Sequence, residues 1–188
     1  MKKRVKGQYG YYSYHKKLDL LITLLLFGLS FGIYFFCLWY FKTNKNFGTI
    51  LAVLGFLPAA KSAIRFIMFL RTIEGPLSVK ETIDPIVEGT DLTAGYDFYV
   101  TSEKKNFDLT HLTVRGNVII AYTLQKKLDE KAFIAHADTI LTQNGYKDRS
   151  IKVFSDLHSY IDRIGQIKEL PAGTKDPEVF HLLGNISL

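Results

Sequence analysis

The run LDLLITLLLFGLSFGIYFFCLWYF, Leu18 to Phe41, constrains this chain more than any other stretch, because its one charge is Asp19 at the edge. A helix needs about 20 predominantly apolar residues to cross ~30 Å of hydrocarbon, so the run predicts a transmembrane span. A second run, FGTILAVLGFLPAAKSAIRFIMFL from Phe47 to Leu70, is long enough to return, although it carries Lys61 and Arg65. A cleaved leader is the competing reading of the first run, and the sequence argues against it. The apolar part exceeds the roughly 7–15 residues of a signal-peptide core. It is also rich in aromatics, and no small-x-small site precedes Phe47.

The net charge of +6 would suggest nucleic acid if the bases were spread over a folded surface. They are concentrated elsewhere. Lys2, Lys3, Arg4, Lys6, Lys16 and Lys17 crowd the first 17 residues with no acid, and Lys42, Lys45, Lys61, Arg65 and Arg71 accompany the apolar runs. Beyond Gly75, 13 bases meet 16 acids, so that part is net −3. The basic character belongs to the membrane region, and nucleic acid is not the expected partner.

Lys and Arg in short flanking segments stay on the cytoplasmic side. Six bases precede the first span and two lie between the spans, which predicts a hairpin in the cell membrane with both ends cytoplasmic and a short loop, 42–46, outside. The single cysteine, Cys37, lies in the first span, so there is no disulfide framework or cysteine-based metal site.

Cations inside a span are costly unless they snorkel or find partners. At ~1.5 Å per residue from Phe47, Lys61 and Arg65 fall in the inner part of the bilayer, four residues apart on one face, with Arg71 at the exit. Snorkelling to lipid phosphates is the simpler account; pairing with an acid on another protein's transmembrane helix is the other. Pro58 precedes this pair, and small residues at Ala59, Ala60, Ser62 and Ala63 let another helix approach. In the tail, Tyr9, Tyr11, Tyr12 and Tyr14 alternate with bases. That pattern can stack single-stranded nucleic acid, but directly before a span it suits an interfacial belt facing an anionic leaflet. Trp39 and Tyr40 form the matching outer belt.

Three parts result: a basic tail, 1–17; a transmembrane hairpin, 18–71; and a cytoplasmic α/β domain, 75–188. In the last, Ser78 is the expected N-cap of a helix shortened or bent by Pro85. YDFYVT (96–101), FDLTHLTV (107–114) and VIIAYTL (118–124) read as a three-stranded meander. An amphipathic helix follows over 128–144, stopped by Gly145, then a strand at 150–154 and a helix capped by Asp156. The expected order is α-β-β-β-α-β-α, with a last short helix over 176–183 outside that count.

A meander followed by a helix and a further strand, with HLTVRGNVIIAYT as its central hairpin, resembles the core of the restriction-endonuclease-like PD-(D/E)XK superfamily, and more narrowly its nuclease-related domains. The likeness covers roughly 78–167. Such domains carry an Asp on the first strand of the hairpin and E-x-K near the end of the next, and these groups hold Mg²⁺ and activate water. Here Thr110 stands at the Asp position, Ala121 or Tyr122 at the Glu, and Thr123 or Leu124 at the Lys. The resemblance therefore implies a scaffold whose catalytic site is lost.

Other constellations are weaker. Glu81, Asp84 and Glu88 share a helix face, and with Asp97 or Asp108 they could form a displaced metal site, though solvated acids are the plainer reading. His15, His111, His136, His158 and His181 lack metal-ligand spacing and are assigned ordinary surface roles; no Gly-rich phosphate loop or G-x-S-x-G occurs. The leading expectation is a non-enzymatic, membrane-anchored interaction or scaffold protein without cofactor or metal. Its partners would be membrane lipids and another membrane protein or a second copy. The alternative is a membrane-anchored metal-dependent nuclease or hydrolase using Glu88, Asp97 and Asp108.

Overall fold

The structure, a computed structural model, describes every residue except Met1, Lys2, Asn44 and Lys104. The tail base Lys2 and the loop residues Asn44 and Lys104 therefore lie outside the described residues. The chain forms two compact units, one of residues Tyr12–Thr72 and one joining Met1–Tyr11 to Ile73–Leu188.

The first unit is built from α1 (Tyr11–Phe41) and α2 (Phe47–Leu70). The bounds of α2 are those expected, and Asn46 caps it by accepting a hydrogen bond from Thr49 N at 2.8 Å. Both helices are long and apolar enough to cross a membrane. Only 17% and 11% of their most apolar windows are buried, leaving Leu24, Leu25, Phe35 and Trp39 of α1 and Ile50, Leu57 and Ile64 of α2 exposed. A core helix of a water-soluble protein would be covered on that surface.

The two helices meet through small residues. Gly48, Ala52, Gly55 and Ala59 line one face of α2, with Ala52 and Ala59 wholly buried. A methyl group on Gly55 would come within 2.6 Å of Ser30 Oγ, and one on Gly48 would collide with Cys37 Sγ. Thr23 Oγ1 and Ser62 Oγ, 2.8 Å apart, share a hydrogen bond between the helices.

The second unit contains α3 (Leu77–Val87), β1 (Thr93–Thr101), β2 (Asn106–Arg115), β3 (Val118–Tyr122), α4 (Glu130–Gln143), β4 (Ser150–Phe154), α5 (Leu157–Lys168) and α6 (Asp176–Asn185). The expected order holds with one addition, since α6 is a ten-residue helix in its own right. The N-cap of α3 is also corrected: Pro76 occupies that position and Ser78 lies inside the helix. The sheet order is β1-β2-β3-β4, antiparallel through β3, with β4 parallel to β3 after the α4 crossover.

Both sheet faces are covered, which accounts for the nearly unbroken burial of β2 and β3. Phe98, Leu109, Leu112, Ile119 and Ala121 pack with Phe133 of α4 and Leu183 of α6. On the other face, Tyr96, Ile120 and Tyr122 pack with Ile83 of α3 and Tyr160 and Ile164 of α5.

One pair of residues breaks the alternation. Tyr96 pairs with His111 and Phe98 with Leu109, while Asp97 and Thr110 between them drop out of the ladder. Asp97 is held at φ 62. The strands keep their register but switch faces there, so Tyr96 points to one core and Phe98 to the other. This swivel puts two polar rings, Tyr96 and His111, side by side on the α3/α5 face.

The N-terminal segment belongs to this unit as an extra edge. Gly7, at φ 85, accepts a hydrogen bond from Tyr96 N at 2.9 Å, and at the far end of β1 Leu188 N donates to Tyr99 O at 3.0 Å. Lys6 Nζ donates to Gly184 O and Ser187 O at 3.1 and 2.6 Å, where a cation suits the C-terminus of α6. Gly95 permits the approach, since a Cβ there would lie 2.7 Å from Gly7 O.

Candidate functional site

A cavity of about 500 Å³ lies among the N-terminal segment, α3, β1 and β2. Its residues come together for simple reasons of periodicity. Lys80, Asp84, Val87 and Glu88 share one face of α3, Tyr96 and His111 are cross-strand partners, and the segment paired to β1 adds Lys3, Arg4, Gln8 and Tyr9.

Asp84 is the hub. Tyr96 Oη donates to its Oδ1 at 2.6 Å, and Lys80 bonds its Oδ2. Burial pushes the Asp84 carboxyl up, but the bonds from Lys80 and Tyr96 outweigh it and hold the group below the usual carboxylate range. The same bond raises Lys80. Burial, with the bond to Asp84, raises Tyr96, which stays a neutral donor. Tyr9 Oη donates to Gly75 O at 2.8 Å, and the Tyr9 ring stands edge-on to Tyr96 with centroids 5.6 Å apart. Burial, followed by the field of Asp97, raises the Tyr9 phenol.

His111 closes the floor of the cavity and is 1% exposed. Burial pushes its pKa down to about 3, with Asp84 pulling weakly the other way, so the ring is neutral. Its Nδ1 lies 2.7 Å from Tyr160 Oη, which is also 3.0 Å from Thr113 Oγ1. Imidazole nitrogen is the stronger acceptor of the two, so the Tyr160 hydroxyl is assigned as donor to Nδ1 and the ring proton to Nε2. The expected surface role of His111 is thus corrected: it is a core residue of a strand. Sequence reasoning missed it because its partner lies on α5, far along the chain. The faint signal was His111 and Thr113 alternating with the apolar Leu112 and Val114 in β2.

The acids of the alternative reading are scattered. Glu88 is exposed at the cavity wall, whereas Asp97 and Asp108 are buried in β1 and β2. Asp108 Oδ2 accepts from Ile73 N at 2.5 Å. Among the described residues, no group of three or more His, Cys, Asp or Glu side chains could hold a metal ion. At the positions where the sequence resemblance would place its motif, Thr110 is 2% exposed, Ala121 is wholly buried, Tyr122 packs against Tyr160, and Thr123 Oγ1 donates to Asp108 O at 2.6 Å.

Within the hairpin unit, Arg65 finds a partner that the sequence reading did not supply. Its Nε lies 3.3 Å from Asp19 Oδ2, and its Nη2 3.2 Å from His15 Nδ1. Lys61 is exposed, and Arg71 forms the C-cap of α2. Of the tyrosines expected at the lipid interface, Tyr9 docks on the α/β unit, and Tyr11 and Tyr12 are buried at 4% and 0% exposure. Tyr14 stands edge-on to His15, and Trp39 and Tyr40 are exposed.

No protein family, curated protein or solved structure matches the chain.

Proposed function

We propose that the chain is a non-enzymatic, membrane-anchored interaction protein whose α1 and α2 cross the bilayer as a hairpin, with the tail and the α/β unit in the cytoplasm. The exposure of α1 and α2 carries this reading: side chains such as Leu24, Phe35 and Leu57 lose their unfavourable contact with water when hydrocarbon surrounds them. The bond between Gly7 and Tyr96 requires the tail and the sheet to lie on one side of the membrane. Two crossings satisfy that requirement, and the bases ahead of α1 favour the cytoplasmic side. Lipids surround the hairpin, and its protein partner is another membrane protein or a second copy. Washing isolated membranes with alkaline carbonate tests the anchor. The chain is expected to stay with the lipid, and release into the wash would rule out two spans.

The sequence α3, meander, α4 and parallel β4 supports reading the α/β unit as a restriction-endonuclease-like scaffold. Thr110, Ala121 and Tyr122 at its motif positions support loss of the chemistry. One observation favours the rival, a metal-dependent nuclease or hydrolase: Asp97 is held in a left-handed conformation in mid-strand, and backbone strain of this kind gathers at functional sites. Incubating the purified chain with DNA or RNA and Mg²⁺ or Mn²⁺ decides between them. No cleavage is expected. Metal-dependent cleavage that disappears in Asp108→Ala would overturn the non-enzymatic reading.

A further inference from the structure

The cavity above Tyr96 and His111 has used its acceptors and kept its donors. Both oxygens of Asp84 are engaged, by Tyr96 and by Lys80, and Gln8 Oε1 accepts from Val5 N at 3.2 Å. Arg4 spends one N–H on Tyr9 O, and Lys80 spends one on Asp84. A guanidinium carries five N–H donors and an ammonium three, so most of the donors of Arg4, Lys80 and Lys3 remain available. His111 adds Nε2–H at the floor, because its Nδ1 is turned to Tyr160. Against these stands one further carboxylate, Glu88. With Lys80 and Asp84 neutralising each other, the charge left on the walls is that of Lys3 and Arg4 against Glu88.

We propose that this cavity binds a phosphate ester, its oxygens accepting from Lys3, Arg4, Lys80 and His111 and its organic part resting against the rings of Tyr9 and Tyr96. A phosphate monoester carries about −1.5 to −2 charge near neutral pH and offers three strong acceptor oxygens, which matches a site rich in donors and poor in acceptors. A neutral or cationic ligand would leave Lys3 and Arg4 uncompensated. The volume of about 500 Å³ suits a small organic molecule. Three of the contributing residues, Lys3, Arg4 and Tyr9, lie on the segment that pairs with β1 through Gly7. A ligand spanning that segment and α3 therefore stabilises the docked tail by linkage. The same chemistry has two sources, a soluble phosphate ester or the headgroup of an anionic lipid. The inference uses only the α/β unit and does not depend on the membrane reading.

The test is titration of the full chain, in phosphatidylcholine nanodiscs, with phenyl phosphate and inorganic phosphate, reading affinity by calorimetry and hydrogen exchange at Tyr96 N–H. Phenyl phosphate is expected to bind and to slow Tyr96 exchange. Lys3→Gln/Arg4→Gln should weaken binding at least about tenfold, the loss of charge-assisted hydrogen bonds. His111→Asn keeps an acceptor for Tyr160 but removes the Nε2–H, and it should weaken binding severalfold. Repeating the titration in nanodiscs containing phosphatidic acid separates the sources. Loss of phenyl phosphate binding there assigns the site to a lipid headgroup, and unchanged binding assigns it to a soluble ester. Absence of binding by either phosphate in phosphatidylcholine nanodiscs, or equal affinity in wild type and both variants, overturns the proposal.

Discussion

His111 shows how one side chain can set the behaviour of a domain without appearing in any motif. Its ring sits between Tyr96, with centroids 4.5 Å apart, and Tyr160, and burial holds its pKa at about 3. An unfolded histidine titrates near ~6.5, so the folded value is depressed. The stability tied to the neutral ring is fully present above about pH 6.5. It falls as the pH drops towards 3, because the unfolded chain then binds a proton that the folded chain refuses, with a limiting slope of ~1.4 kcal/mol per pH unit. Thermal unfolding of the full chain in detergent, followed by near-ultraviolet circular dichroism from pH 8 to pH 4, should show this acid-side loss. His111→Asn should flatten it, with a lower midpoint at pH 8 from the lost ring packing; an equally steep loss in the variant would discard His111 as its source. Sequence alone offered little of this. Asp97 read as a candidate metal-site acid and Thr110 as a lost motif position, and the face switch that brings Tyr96 beside His111 depends on φ at Asp97, which tolerates the left-handed region but does not announce it. Glu88, by contrast, was legible as a helix-face acid and does line the cavity.

At the scale of elements, apolar runs were readable because they depend on local chemistry, caps were readable in part, and pairings between elements were not. Phe47–Leu70 follows directly from hydropathy, and Asp156 caps α5 as its position suggests, accepting from Ser159 N at 2.8 Å, whereas Ser78 falls inside α3 behind Pro76. Helix α6 escaped the count because it is short and follows a loop with Pro171 and Gly173. Asp19 was visible as the one charge of the first run, but its meeting with Arg65 depends on the rotation of α1 against α2. That rotation is fixed by Gly48, Ala52, Gly55 and Ala59, a stripe whose partner residues lie on the other helix. The ion pair gives a sharp expectation. Asp19 Oδ2 is buried and lacks an aligned hydrogen bond, while the Arg65 side chain is half exposed. Removing one partner therefore leaves a charge in a poor environment, and removing both does not. Asp19→Leu and Arg65→Leu should each lower the thermal midpoint of the hairpin in detergent more than the double variant does, with a coupling on the order of 1 kcal/mol. Strictly additive losses would show that the pair is incidental. Gly55→Val should also separate the helices, since even a Cβ meets Ser30 Oγ at 2.6 Å.

For the molecule as a whole, the informative fact is that one folding unit is assembled from both sides of the apolar segment in the sequence. Residues up to Tyr11 join Ile73–Leu188, and three anchors hold them: Gly7 on β1, Lys6 at the end of α6, and Tyr9 on Gly75. Charge counting suggested a tail devoted to the lipid surface, yet Lys6 and Tyr9 are spent on protein. The segment also covers part of the free edge of β1, a place where unpaired backbone invites association. Deleting residues 3–9 should therefore lower the midpoint of the α/β unit and promote aggregation; an unaltered midpoint would mean that the docking is marginal. The same pairing constrains topology more tightly than charge bias alone. If Gly7 pairs with Tyr96, an odd number of crossings between them is excluded whichever way the chain inserts, and the proposed cytoplasmic side rests on the four bases before α1 together with Lys16 and Lys17 near its start. With the native thiol removed by Cys37→Ser, single cysteines placed by Lys45→Cys in the loop and Glu103→Cys between β1 and β2 can be probed in intact cells with an impermeant maleimide. Labelling is expected at the first and not at the second until the membrane is permeabilised. The reverse pattern would invert the hairpin while keeping its ends together. Labelling at both sites in intact cells would place the loop and the domain on the same outer side, and a two-span anchor could not survive that result.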